Sequence, residues 1–182
     1  RWTPKLKKQN NEDLLRTPCT PVCESEIADL VSKLEYELEY SNKIGSPGIG
    51  LAAIQIGIPK SVAIVRSNNI NINLVNCHIS SAFDQAIFKD EGCLSFPGRV
   101  ENTLRFQEVH VEGNAVYPYR FVATGLPAIV CQHEIDHMNS KIFLDNLSLK
   151  QKKKIGPNDI CPCGKIDKTT LKVLKFKKCC GK

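Results

Sequence analysis

His133, Glu134, Ile135, Asp136 and His137 combine metal-ligating and proton-accepting side chains at a spacing that a helix makes useful. Residues four apart share one face of a helix, so both imidazoles can reach a single cation while Glu134 stands beside a water bound there. A solvated helix with two ordinary histidines is the plain alternative. Against it, Leu126, Ile129 and Val130 run on into His133 and His137 as one stripe, on the side expected to be buried, where unpartnered imidazoles are costly. A metal site that does chemistry needs a third protein ligand and an open position. No histidine or glutamate follows His137, so that ligand has to come from upstream. The stretch from Glu91 to Gly98, with Cys93 between a glycine and a short apolar run, is the best source, although by itself it equally describes a buried cysteine ahead of a turn. A third stretch, Gly48 to Gln55, joins glycines and alanines that permit close backbone approach to one polar amide; its plain reading is a tightly packed turn entering a helix or strand.

The elements that would carry these residues follow from periodicity. Ile27, Leu30, Val31, Leu34 and Leu38 recur at helical spacing and predict an amphipathic helix from about Ser25 to Asn42. Gly45-Ser46-Pro47-Gly48 forces a turn, and the β-branched runs Val62–Val65 and Ile72–Val75 predict strands. Phe106–Val111 and Val116–Val122 flank the turn-compatible Glu112–Ala115 and predict a hairpin, its second strand pushed to an edge by Pro118. A second helix begins near Pro127 and runs through His137. Helix, strands, helix is the order of an α+β fold.

The 182 residues, 42% hydrophobic and 24% charged, suit one folded body and exclude wholesale disorder. No apolar run approaches the roughly 18 residues of a membrane span. The basic start, Arg1 to Lys8, lacks the apolar core of an intact secretory signal, and without an initiator Met the expectation is that some upstream sequence is missing. The formal charge of +6 is unevenly spread: the 33 residues from Lys150 hold 11 Lys and 2 Asp, leaving the rest at −3. Four of the nine cysteines (Cys161, Cys163, Cys179, Cys180) also fall in that tail, a pattern that favours metal-binding thiols over a disulfide framework.

Taken together, Gly48, Gly50, Leu51, Ala52, Ala53 and Gln55, then Glu91 to Ser95, then Gln132, His133, Glu134, Asp136 and His137 resemble the peptide deformylase signature GxGLAAxQ, EGCLS and QHExDH. The similarity extends through Gly57-Ile58-Pro59 and Phe143-Leu144-Asp145, covering about residues 11–149. Ser140 stands where the family usually has glycine, and Lys89 where it often has an aliphatic residue near the substrate pocket. The resemblance implies that Cys93, His133 and His137 hold one divalent metal, Fe²⁺ in the family, with Zn²⁺, Ni²⁺ or Co²⁺ able to substitute. Donor types alone would suit zinc. It further implies hydrolysis of the N-formyl group of N-formylmethionyl nascent polypeptides in the cytoplasm, with Glu134 as base and acid and with Gln55 and the Leu94 N–H as oxyanion donors. The Gly50 and Glu91 backbones would align substrate; Ile49, Leu126, Ile129, Val130 and the His133 ring would line the methionine pocket. Glu91 would pair with Arg105 in a structural role.

Cys161-Pro162-Cys163 and Cys179-Cys180 resemble the two halves of the SEC-C zinc motif, with a spacer of 15 residues that is longer than usual. Four thiolates would close a structural Zn²⁺ site, and the lysines favour contact with ribosomal RNA. The expected organisation is a catalytic domain over 1–149, a basic linker over 150–156 and a zinc-binding tail over 157–182. Two other readings, a zinc metallopeptidase and a non-catalytic metal-dependent adaptor, fit less well. The first lacks its downstream ligand, and the second would show decay at Glu134, Gln55 or Cys93.

Overall fold

The computed structural model describes Leu6, residues 12–115 and residues 117–148. The chain forms two units, Arg1–Leu147 and Ser148–Lys182. All of the second but Ser148 lies outside the described residues, and with it the linker, the basic tail and its four cysteines.

A short helix, α1 (Glu12–Leu15), precedes α2 (Glu24–Lys43), where Ile27, Leu30, Leu34 and Leu38 are buried at the expected spacing. Cys23 opens α2, its N–H donating to Glu26 Oε2 at 2.9 Å. Two antiparallel sheets follow. The first, in the order β1-β2-β3, is built from β1 (Gly50–Ala52), β2 (Val62–Ser67) and β3 (Ile70–Val75), the last two joined by a two-residue Asn-Asn loop. The second, β4-β5-β6, is built from β4 (Cys77–Gly92), β5 (Val100–Gly113) and β6 (Arg120–Thr124). One 3-10 turn, Ala53–Ile56, follows β1; another, Phe143–Asn146, follows the last helix.

That helix, α3 (Leu126–Met138), starts with Pro127 in its first turn and touches β1 and β2 of one sheet and β5 and β6 of the other. Ala128, Val130, Cys131, Ile135 and Met138 pack with Ala52, Ile54, Ala63, Val65, Leu74, Val109 and Val111 in one core cluster. The candidate metal-ligand motif is therefore on an element buried nearly all round, which restrains its side chains. Leu126 departs from the expected buried stripe: it is 48% exposed, because it stands in the first turn, where the helix emerges from the core.

Two features of the sheets correct the reading from sequence. The second strand of the hairpin begins at Arg120, because Pro118 has no N–H for a ladder; it does form an edge, and Val116 lies outside the described residues. The 16-residue β4 was not anticipated. Its side chains are mostly exposed, so no apolar alternation announces it.

Candidate active site

One ligand atom each from Cys93, His133 and His137 lies within 4.8 Å of the other two. The Cys93 Sγ is 3.4 Å from His137 Nε2, and the two imidazole centroids are 4.9 Å apart. Helical spacing brings the rings together, and the turn after β4 carries Cys93 to them; Phe96 N–H donates to Cys93 O at 2.8 Å and closes that turn. A thiolate and two imidazoles form a donor set suited to a divalent transition metal. Protons serve the cluster poorly. Burial lowers the His133 pKa, yet the Cys93 charge and Glu91 raise it well above the ordinary value; His137 is pushed well below, by burial and by the charge on His133. The residues present fit a cation.

Behind His133 stands a buried ionic network. Its Nδ1–H donates to Glu91 Oε1 at 2.7 Å, fixing the tautomer so that Nε2 is left for a metal. Arg105 grips Glu91 through Nε to Oε2 at 2.8 Å and Nη2 to Oε1 at 2.6 Å, and reaches Asp136 Oδ2 through Nη1 at 2.6 Å. Asn146 Nδ2 donates to the same Asp136 oxygen at 2.8 Å. Thr103 Oγ1 also donates to Glu91 Oε2. Burial alone would raise the Glu91 pKa, but the bonds from Arg105 and His133 more than offset it and hold it down to about 2.

A strand irregularity puts Glu91 there. The β4–β5 pairing slips by one residue between Phe88 and Glu91, where Asp90 has a φ of 57° and donates its N–H to Asn102 Oδ1 at 3.2 Å. The slip inverts the alternation of faces, so Glu91, opposite Glu101, comes to the same face of the sheet as Thr103 and Arg105.

Glu134 is buried, and burial pushes its pKa up to about 7; its Oε2 has no hydrogen-bond partner among the described residues. Gln55 is pinned at Oε1 by the Ala52 N–H, 2.8 Å away. Its Nε2 donates to Ser95 Oγ at 3.2 Å and to Cys93 Sγ at 3.5 Å, so the amide already faces the thiol. These groups open onto one cleft of about 790 Å³, bordered by Ile49, Gly50, Gln55, Glu91, Cys93, Leu94, Leu126, Ile129, Val130, His133 and Glu134. His137 lies beneath it, fully buried. Lys89 is not on the cleft wall: the strand slip turns it to solvent and leaves Phe88 and Asp90 at the wall instead. The sequence assigns no role to Thr103, Ser95 or Asn146. Only the register of β4 on β5 and the return of the chain after α3 bring two of them to the site, while Ser95 lay inside a recognised motif with nothing to mark its contact.

The chain matches the model of the polypeptide deformylase family over residues 6–153. It is 38% identical over 148 residues to peptide deformylase 1 of Pseudomonas syringae pv. tomato, covering 78% of this chain and 85% of that one. A peptide deformylase from Legionella pneumophila superposes with a TM-score of 0.69 at 32% identity, covering 82% of this chain and 88% of that one. The class I type b enzyme of Acinetobacter baumannii, solved with Met-Ala-Ser bound, superposes with a TM-score of 0.67 at 28% identity, covering 78% and 96%.

Proposed function

The chain belongs to the polypeptide deformylase family, and from that premise we propose how its residues remove the N-formyl group from newly made polypeptides. The observation that carries the reading is the approach of the three ligand atoms, within 4.8 Å, at the base of a cleft that Glu134 and Gln55 also border. Cys93, His133 and His137 would hold one divalent metal. When bound, such a cation supplies Lewis acidity, lowering the pKa of a neighbouring water and polarising the formyl carbonyl.

Glu134 takes the proton of the attacking water and returns it to the nitrogen of the methionine as the C–N bond breaks, so formate and a free amine leave. The Gln55 amide and the Leu94 N–H donate to the oxygen on which negative charge develops. The Gly50 and Glu91 backbones align the substrate chain, and Ile49, Leu126, Ile129, Val130 and the His133 ring enclose the methionine side chain. The bound Met-Ala-Ser of the Acinetobacter baumannii enzyme supports a cleft that accepts a short peptide. Formate release from formyl-Met-Ala-Ser tests the reading directly. Glu134→Ala is expected to retain metal and lose at least about two orders of magnitude in turnover, the usual reach of a general base, whereas Cys93→Ala loses the metal itself. Normal turnover in Glu134→Ala would overturn the mechanism.

Fe²⁺ is the proposed resident metal, on the family resemblance; the Fe²⁺ protein should lose activity in air while a nickel form persists, and equal air stability would count against iron. The protein is proposed to work in the cytoplasm. For the tail we propose that Cys161, Cys163, Cys179 and Cys180 hold a structural Zn²⁺, so that metal analysis returns two metals per chain, and that its lysines tether the enzyme to ribosomes. Deletion of residues 157–182 is then expected to spare hydrolysis of a small formyl-peptide and to weaken ribosome co-sedimentation at low salt. Unchanged co-sedimentation would sink the tether.

A further inference from the structure

We infer that Thr103 is a positioning residue for the metal centre, its hydroxyl completing the set of donors that holds Glu91 against His133. The inference rests on the foregoing reading only in taking Cys93, His133 and His137 as ligands.

An ionised carboxylate offers about four acceptor positions. His133 Nδ1–H and Arg105 Nη2 fill those of Glu91 Oε1, and Arg105 Nε and Thr103 Oγ1 fill those of Oε2. Thr103 is the one hydroxyl of the four donors, and like Arg105 it reaches His133 only through the Glu91 carboxylate. It is fully buried, and Glu91 and Arg105 are almost so, at 4% and 2% exposure. Water does not reach the position to replace a lost hydroxyl. The Thr103 backbone is clamped from both sides, opposite Phe88 of β4 and bridged to Leu147, so its hydroxyl is fixed in place.

The site depends on this support because it is one-sided. His133 has a carboxylate behind it, whereas His137 Nδ1 is buried with no hydrogen-bond partner among the described residues. The orientation of the imidazole pair therefore runs through Glu91. Without the Thr103 hydroxyl, Oε2 keeps only Arg105, and that guanidinium is also drawn toward Asp136 at 2.6 Å. The carboxylate is then free to follow Arg105, and the His133 ring to turn with it. Partners of this kind behind a metal-bound histidine typically govern 10- to 100-fold in metal affinity.

The full chain loaded with Co²⁺ tests this, with Cys93→Ala as the blank for cobalt bound elsewhere. Thr103→Val keeps the shape and deletes the hydroxyl, Thr103→Ala deletes it without branching at Cβ, and Thr103→Ser keeps it. The expected result is an altered Cys93-dependent Co²⁺ absorption spectrum, with about 10-fold or greater loss of Co²⁺ affinity, in the folded Val or Ala variant, and wild-type behaviour in Ser. A spectrum and affinity like wild type in whichever of Val and Ala folds would overturn the inference; so would a Ser variant as impaired as Val, which would assign the effect to packing. Absence of any Cys93-dependent cobalt in the wild type would instead refute the ligand assignment and remove the inference with it.

Discussion

A methyl group on Gly50 would collide with Glu134 Oε1 and come within 2.9 Å of Val130 Cγ1. The glycine thus sets how close β1 can lie to the proposed base, and the whole cleft depends on that approach. Gly50→Ala should displace the Glu134 carboxylate while leaving Cys93, His133 and His137 untouched. Metal content is expected to stay at the wild-type level while formate release falls about 10-fold or more, since proton transfer by a positioned group is worth 10²- to 10⁴-fold. Gln55, the proposed oxyanion donor, borders the same cleft. Gln55→Ala is expected to cost on the order of 10²- to 10³-fold in kcat, the range for one oxyanion donor, with little change in metal content. If the loss fell on KM alone, the amide would be binding substrate rather than the transition state. Single residues were also where the sequence was most legible. Cys93, Gln55, Glu91 and the helical triplet sit in dense motifs, whereas Thr103 is an ordinary threonine in an ordinary strand.

The elements show why some of this could be read and some could not. The buried face of α2 recurs every three or four residues, and its expected limits lie within one residue of those found, because a helix against a core writes its period into the chain. β4 writes none: exposed on most of its length and broken by two slips in register, it carries Glu91 to the site through geometry that no local pattern encodes. The end of α3 falls between these cases. Ser140 N–H donates to His137 O at 3.4 Å and Lys141 N–H to Asp136 O at 2.9 Å, a Schellman closure whose left-handed position is held by Ser140 at φ 62°. The family's usual glycine at this position now has a physical reason. Ser140→Gly should relieve the left-handed strain, worth about 1–2 kcal/mol, against a glycine entropy cost of about 0.5–1 kcal/mol. A gain of roughly 0.5–1 kcal/mol in urea unfolding is expected, with formate release unchanged; a loss of stability would mean that the serine side chain makes a contact worth more than its strain.

At the scale of the first unit, the packing around the proposed ligands is closed by chain segments far apart in sequence. Leu15 of α1, Phe96, Ile142 and Phe143 form a separate core cluster; the Phe96 and Phe143 rings meet edge to face at 5.6 Å, and Phe143 lies 6.2 Å from the His133 ring. Arg16, just after α1, clasps Asp145 with both terminal nitrogens, at 2.9 and 3.0 Å, across 129 positions of sequence. Asp145 Oδ2 also accepts the Ile142 N–H at 3.0 Å, so one carboxylate ties the start of this unit to its last turn. Burial alone would raise the Asp145 pKa, but the Arg16 bonds and the Ile142 N–H lower it below the ordinary aspartate value. A carboxylate depressed in the folded state stabilises above its unfolded pKa of about 3.9, and that contribution is lost as pH falls through the lower folded value. Both side chains are more than a third exposed, so solvent screening limits the pair to about 0.5–1 kcal/mol despite its two-pronged geometry. Asp145→Asn should therefore unfold at lower urea than wild type at pH 7, and the gap should close as pH falls below the ordinary aspartate range and shrink in high salt. A gap that persisted in acid would assign the difference to the Ile142 cap rather than to the ion pair. The ligands would be expected to keep their metal in either case, because the clasp supports Phe143 and not the carboxylate behind His133.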